Sequence, residues 1–491
     1  MKARRPREAA GRIVVVSNRL PFNFRRLPGG GRVAEPASGG LVTALMPVLR
    51  ERGGVWIGWP GTLVPPAQLG IAAAAASADI GCELVAVPLS AEQVRDFYLG
   101  FSNEVIWPLF HDFLAYCNFD ERYWRTYCAV NRRFARAVHA RSAARDFIWV
   151  HDYHLMNLGA ELKQLGNRCR TGFFLHIPFP PPDIFLKLPW RDPVMRGLLE
   201  FDLLGFQTAN DARNFRACLK RLGLKAGRTR IGDFPISIDF DGFSTRAAER
   251  DVAEKAAELH RLLPERRLAL GVDRLDYTKG IPLRLRAFRR LLQQHPEMHG
   301  RVSLIQVVVP SREDVPQYHV LRADIERLVG EINGAYARPG EWVPVWYEYR
   351  SLTRVELLAY YRAADIALVT PLKDGMNLVA KEYCACSIEE DCVLVLSEFA
   401  GAAAQLGDDA LLVNPCDEAG MAQAIRAAVL MPEAERAARM RRLRAVIRRQ
   451  DVFWWVERFL QDAGYRARRP SARNPARPKA RGYPPEAQLP L

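Results

Sequence analysis

The sequence predicts an α/β protein made of two doubly wound domains, each with a parallel sheet covered by helices on both faces. Three observations carry this expectation. At 491 residues the chain is too long for one ordinary core. Short runs of Val, Ile, Leu and Phe alternate with stretches of helical period, the pattern of buried parallel strands joined by crossover helices. The alternation then starts afresh near residue 268, after a long polar helix.

The strand candidates are IVVV (13–16), FIWV (147–150), FFL (173–175), LLGF (203–206), LALGV (268–272), LIQVVV (304–309), IALV (366–369) and VLVL (393–396). Helical periodicity marks 41–51, 122–142, 208–222, 246–262, 284–294, 353–363 and 418–430, and DVFWWVERFLQDA (451–463) forms a last amphipathic helix rich in aromatics. The expected organisation is a basic extension (1–12), a first domain (13–245), a second domain (246–450), a terminal helix (451–465) and a Pro/Arg-rich tail (466–491). The tail has few large apolar residues and is expected to be disordered. The Ala-rich stretch 71–78 carries no recognisable chemistry.

The formal charge of +15 invites a nucleic-acid reading, but its distribution argues against one. Residues 1–12 hold +4 and residues 466–491 hold +6, so little net charge remains on the body. No run of about 18 apolar residues exists, so no membrane helix is expected. The apolar run after the basic N-terminus is too short for a secretory signal, which makes the cytoplasm the expected compartment. Nine cysteines at irregular spacing fit reduced thiols better than a disulfide framework.

In parallel α/β sheets, ligands bind beyond the carboxyl ends of the strands. HDYH (151–154) follows FIWV, and HIPFPPP (176–182) follows FFL. A His and an Asp there can hydrogen-bond a polyol, although HDYH by spacing alone could equally be a metal site or a satisfied buried cluster. Gly39 and Gly40 open a helix and permit close backbone approach to an anion or a sugar oxygen, a weak signal by itself. In DRLDYTKG (273–280), Arg274 and Lys279 flank a short loop and suit a diphosphate, the alternative being a solvated basic loop. In PLKDGMNLVAKE (371–382), Asp374 and Gly375 sit where a helix begins. Glu382 lies about two turns on, where it can accept both hydroxyls of a ribose or simply face solvent.

VVVSNRLP, SGGLVTAL, GVWIGWPG, FSNEVIWPLFH, VHDYHL, FFLHIPFP, LLGFQT, DRLDYTKG and TPLKDGMNLVAKE together resemble the trehalose-6-phosphate synthase family, across roughly 13–415. The resemblance implies two Rossmann-like domains facing a cleft (the GT-B type), with the last helix crossing back to the first domain. It implies transfer of glucose, with retention, from UDP-glucose or another nucleoside diphosphate glucose to glucose 6-phosphate. By motif match, Arg274 and Lys279 would hold the diphosphate with the backbone around Gly375, Met376, Asn377 and Leu378. Glu382 would bind ribose, Asp374 the donor glucose, Gly39 and Gly40 would line the donor site, and His176 would contact the reacting sugar. Arg19, Tyr98, Trp107, Asp152 and Arg312 would bind glucose 6-phosphate. Asp152, His176, Arg274, Lys279 and Asp374 are the expected catalytic set.

In that reading no carboxylate is a nucleophile; the alternative is a covalent intermediate on Asp152 or Asp374. No cofactor, metal, nucleic acid or membrane partner is expected, and a homo-oligomer is left open. A different acceptor such as glycerol 3-phosphate, or a non-catalytic sugar-phosphate-binding paralogue, is the competing expectation. Ser237 in PISID stands where the family usually has Gly. The CxC at 384–386 with Cys392 is read as structural and not as a zinc site.

Overall fold

The computed structural model describes residues 11–26, 32–36, 53–62, 82–262, 266–311, 316–338 and 340–465, with positions 42, 45, 46 and 49. The tail, the stretch 71–78 and most of the expected helix at 41–51 lie outside the described residues.

The Val-rich segment Ile13–Arg19 (β1) is buried over its first six residues, as a strand covered on both faces must be. It pairs in parallel with Gly54–Trp59 (β4) on one side and Phe147–His151 (β6) on the other. Between them in sequence, Phe22–Arg26 (β2) and Arg32–Pro36 (β3) form a separate antiparallel pair. Glu83–Ala86 (β5), Arg170–Phe174 (β7), Leu203–Phe206 (β8) and Arg230–Asp233 (β9) complete a seven-stranded sheet, ordered β5-β4-β1-β6-β7-β8-β9.

The second sheet starts with Arg267–Arg274 (β10). It continues through Val302–Val309 (β11), Val345–Tyr349 (β12), Ile366–Val369 (β13), Val393–Ser397 (β14) and Leu411–Val413 (β15). Its six strands are all parallel, in the order β12-β11-β10-β13-β14-β15. This is the dinucleotide-fold order, in which the chain lays down three strands to one side, returns to the centre, and builds outward on the other.

Contacts divide the chain into two compact units, one reaching Phe234 and resuming at Trp455, the other covering Pro235–Trp454. Residues 235–245, which the strand pattern grouped with the first domain, therefore belong with the second. Helix Phe240–Ala248 buries Phe240, Phe243 and Ala247, and packs chiefly on helix Leu378–Cys386. The helix expected at 246–262 is broken at Glu249, which is extended (ψ 153°), so a new helix runs Arg250–Leu262.

Helix Glu433–Arg449 was not legible from periodicity. Its buried stripe is Arg436, Met440, Leu443, Arg444 and Ile447, so two of the five inward positions read as solvent-facing. Both arginines end on carbonyls: Arg444 Nη1 donates to Cys384 (2.8 Å) and Ala385 (2.7 Å), and Arg436 Nη1 to Met431 (2.6 Å). The two residues held by Arg444 lie in the last turn of helix Leu378–Cys386, where carbonyls lack helical partners. The cysteines 384, 386 and 392 are buried in the same layer, and burial raises each thiol pKa, that of Cys392 to about 11.

The terminal helix, Val452–Asp462, lies on the first sheet. Phe459 stacks on Trp149 with centroids 4.5 Å apart, Trp455 meets Phe174 edge-on at 5.1 Å, and Trp455 Nε1 donates to the Phe234 carbonyl at 3.0 Å. Gly205 in β8 makes room, since a Cβ there would stand 2.6 Å from the Phe459 ring. Trp455→Ala is expected to destabilise the protein by ~3–5 kcal/mol, through the cavity and the unpaired Phe234 carbonyl, as measured by urea denaturation.

Candidate active site

In both sheets the crossovers reverse direction beside the first strand, between β1 and β6 and between β10 and β13. Helices diverge at such a point and leave the carboxyl ends of the two central strands uncovered. Arg19 ends β1 and Asp152 follows β6; Arg274 ends β10 and Asp374 comes shortly after β13. The topology therefore delivers the sequence candidates of each unit to that unit's switch point.

In the first unit, the Arg19 guanidinium lies over Trp59, 4.3 Å from the ring centroid, and 5.4 Å from that of Tyr98. The aromatic faces hold the cation while its N–H edge stays available for an anion. Gly61 sits at φ 81°, which favours glycine, and a Cβ there would displace the Arg19 guanidinium, 2.0 Å from Nη1. Tyr98 comes from Val94–Ile106, a thirteen-residue helix of the wide i→i+5 kind, a form common at functional sites. Tyr98 stacks with His154 (6.0 Å), His154 with Tyr153 (4.0 Å), and Tyr153 meets Trp107 (6.0 Å), giving one aromatic wall. The wall is anchored by Tyr127, whose hydroxyl donates to the Tyr153 carbonyl and accepts from Met156 N, both at 2.9 Å.

Asp152 has φ 76° and ψ 166°, a backbone region that is nearly glycine-only and costs about 1–3 kcal/mol. Its N–H donates to the Phe174 carbonyl at 2.8 Å, and its Oδ1 accepts from His176 N at 3.2 Å. Those bonds to the neighbouring strand end hold the strained conformation in place. The His176 ring bonds through Nε2 to Nδ1 of His151, 3.2 Å away. Burial lowers the pKa of His176 to about 3 and that of His151 well below its usual value, the nearness of His176 adding to the latter. Both rings are neutral at ordinary pH.

In the second unit, Lys279 and Asp374 form an ion pair at 2.5 Å, and Asn377 Nδ2 donates to the same carboxylate oxygen at 3.1 Å. The residues expected to serve phosphate and sugar separately are thus joined. Lys279 lies in the turn Tyr277–Lys279, which Asp276 caps through Thr278 N (3.0 Å) and Oγ1 (2.9 Å). The Thr278 carbonyl accepts from Leu372 N at 2.7 Å, tying this turn to the loop that carries Asp374. Asn377, at φ 72°, starts helix Leu378–Cys386 and caps it through Ala380 N (3.4 Å). Gly401 N and Ala402 N donate to the carbonyls of Asp374 (3.1 Å) and Met376 (2.8 Å), fixing the backbone on either side of Gly375.

Beneath the loop, the fully buried Arg284 pairs with Asp273 (2.6 Å), Gln306 (3.0 Å) and Thr370 (3.0 Å). It thereby ties the ends of β10 and β13 and the middle of β11 to one guanidinium. Glu382 accepts from the Tyr361 hydroxyl at 3.0 Å, and burial, its largest influence, raises the carboxyl pKa. Lys381, the next residue, reaches the Ile236 carbonyl and Gln405 Oε1, both at 2.7 Å, and burial lowers its pKa to about 7.

Gly39, Gly40 and Arg312 lie outside the described residues. Ser237 is buried, and its Oγ makes no hydrogen bond among the described residues, so this hydroxyl adds a desolvation cost that glycine would not carry. Trp59, Arg284 and Tyr361 were not singled out from the sequence, and only the fold sets them against the expected ligands. His151 opens the HDYH segment, and the fold pairs its ring with His176. Among the described residues no helix is long and apolar enough to cross a membrane.

The fold, with two doubly wound units and a dinucleotide-type order in the second, is that of a glycosyltransferase. The profile of Glycosyltransferase family 20 matches residues 11–465, and the chain belongs to that family. A trehalose-6-phosphate synthase of Mycobacterium avium (strain 104) is 44% identical over 476 residues, covering 91% of this chain and 94% of the relative. A Burkholderia xenovorans α,α-trehalose-phosphate synthase (UDP-forming), solved in complex with glucose 6-phosphate, has TM-score 0.82 and 35% identity, covering 92% of this chain and 100% of that one. An E. coli structure bound with UDP-2-fluoro glucose has TM-score 0.81 and 36% identity, over 92% of this chain and 98% of that one.

Arg284→Met should leave the Asp273 carboxylate buried without its cation and cost ~3–5 kcal/mol in stability, read by chemical denaturation. The double change Arg284→Met with Asp273→Asn should recover part of that loss.

Proposed function

We propose that this chain transfers glucose, with retention, from UDP-glucose or another nucleoside diphosphate glucose to glucose 6-phosphate, forming trehalose 6-phosphate. The observation that carries the reading is the Lys279–Asp374–Asn377 cluster, on the loop that starts helix Leu378–Cys386, with Arg274 ending β10 at the same switch point. An ammonium has three N–H donors, so Lys279 can keep Asp374 and still meet a phosphate oxygen. Arg274 supplies a second cation, and the backbone of Gly375, Met376, Asn377 and Leu378 offers donors at the helix start. Glu382, held through one oxygen by Tyr361, has its other oxygen for the ribose hydroxyls. Gly39 and Gly40 complete the donor set. Names of the relatives support the substrates: the B. xenovorans enzyme was solved with glucose 6-phosphate and the E. coli protein with a UDP-glucose analogue.

Arg19, stacked on Trp59, and Arg312 receive the acceptor phosphate. Asp152 reads sugar hydroxyls, and Tyr98 and Trp107 border the ring. The chemistry then needs a proton acceptor for the attacking hydroxyl. Burial lowers the pKa of His176 to about 3, so its ring is neutral at ordinary pH and serves as neither a cationic acid nor a strong base. Asp374 is neutralised by Lys279, and Asp152 Oδ1 already accepts a backbone N–H, which weakens both as nucleophiles. By the resemblance to the family, the departing phosphate oxygen takes the acceptor proton on the face it leaves. Protein groups contribute positioning and stabilisation of the developing diphosphate charge.

Turnover, followed by product mass with a panel of nucleoside diphosphate glucoses, is the direct test. Arg274→Ala and Lys279→Ala should each lower kcat/KM by ~10²-fold or more, as loss of one partner to developing charge does. Near-normal rates in both would remove the diphosphate clamp. Tyr361→Phe should raise the donor KM by up to ~10-fold, since one hydrogen bond orienting Glu382 is lost, with the acceptor KM unchanged. Free glucose and glycerol 3-phosphate should both be poor acceptors. If glycerol 3-phosphate outcompetes glucose 6-phosphate, the donor site stands and the trehalose product does not.

A further inference from the structure

The His151–His176 pair admits two arrangements of its single shared proton. In one, His151 Nδ1–H donates to Nε2 of His176, and the remaining proton of His176 sits on Nδ1. In the other, His176 Nε2–H donates, so His151 must carry its proton on Nε2 and His176 Nδ1 becomes a bare lone pair. The surroundings distinguish them. His151 is fully buried among Trp149, Phe174 and Trp455, and its Nε2 has no hydrogen-bond partner among the described residues. The adjoining Trp149 ring, 4.8 Å away, already carries a buried Nε1–H without a partner among the described residues. The second arrangement would therefore bury two unpaired N–H donors on neighbouring rings. The first leaves one, beside an unused lone pair. Orphaned buried N–H groups are the rarer and costlier of the two defects.

We infer that His151 is a positioning residue that fixes the tautomer of His176, so that His176 presents Nδ1–H as a hydrogen-bond donor to a sugar oxygen. The inference rests on the proposed transferase reading for the identity of that oxygen, but the tautomer itself does not. His176 keeps a partly exposed edge, and its Nδ1 has no protein partner among the described residues. Asp152, whose carboxylate accepts the His176 backbone N–H, is the ionisable group at this turn; it fixes the backbone while His151 fixes the ring. Low pKa values for both rings agree with a neutral pair. A donor at this point adds hydrogen-bond stabilisation to a hydroxyl of the reacting sugar, whereas a lone pair there would demand that the hydroxyl donate.

The test is a two-bond 1H–15N correlation spectrum of the full chain with 15N-labelled histidine rings, assigned through a His176→Gln variant. Expected are a protonated Nδ1 and a bare Nε2 on His176. His151→Phe should release His176 to the other tautomer or a mixture. It should lower kcat ~10-fold, the scale of one hydrogen bond, with KM for glucose 6-phosphate little moved. His151→Asn, whose amide can donate from near the Nδ1 position, should restore both the tautomer and most of the rate. A protonated Nε2 on His176 in the unmodified protein overturns the inference, as does wild-type kcat in a folded His151→Phe. A protein with the expected spectrum that transfers no glucose would instead overturn the functional reading. If His151→Phe does not fold, the spectrum of the unmodified chain and the His151→Asn rate still decide the matter.

Discussion

Every strand of a parallel sheet ends on the same edge, and a crossover helix normally covers the edge between consecutive strands. The exception lies where the chain returns to the centre and builds the other way. Both sheets have one such reversal, beside β1 in the first and beside β10 in the second. The pattern of the rest follows from that constraint. Arg19 and Asp152 end up adjacent because β1 and β6 are neighbours there, although 132 positions separate them in the chain. Arg274 and Asp374 are likewise carried by adjoining strands, β10 and β13, and the turn at Thr278 is hydrogen-bonded directly to Leu372.

Such an edge exposes chemistry only if the loops beyond it are held still, and the two units achieve this differently. In the second, charge does the work from below: Arg284 gathers Asp273, Gln306 and Thr370 in the dry interior, and Asp276 caps the turn that presents Lys279. In the first, aromatic packing dominates. Trp59, Tyr98, His154, Tyr153 and Trp107 make a continuous wall, and Tyr127 pins the backbone behind it. Asp152 and Asn377 occupy left-handed backbone regions within these loops. Each is a residue whose side chain is engaged in the loop it distorts, so the hydrogen bonds offset part of the strain.

Pairing of Lys279 with Asp374 has an electrostatic consequence. A lone lysine at a phosphate site would repel Arg274 and would carry the full cost of partial burial without compensation. With Asp374 in contact, the cluster is nearly neutral before an anion arrives. On the proposed reading, its attraction for a diphosphate comes from Arg274, the helix start and the spare N–H donors of Lys279 together. The arrangement favours a ligand that brings both an anion and hydroxyl groups, since Asp374 remains an acceptor for the latter.

Much of this protein was determined by sequence alone. Buried strands such as Val393–Ser397 and helices such as Glu418–Leu430 announce themselves by period, because their environment on each face is uniform. Asp152, His176, Arg274, Lys279 and Asp374 stood out because polar groups shortly after apolar runs lie at sheet edges, whereas Arg19 came only from the resemblance to the family. Four features depended on tertiary structure. The helix Glu433–Arg449 hid its buried face behind arginines that serve as caps for another helix. The strand Gly54–Trp59 was obscured by two glycines, and the helix at 246–262 broke at Glu249. Finally, nothing in the one-dimensional pattern separates Trp59, Arg284 or Tyr361 from ordinary core residues. Their significance is a contact across as many as 86 positions of chain, and contacts of that range are set by which strands become neighbours, which periodicity does not encode.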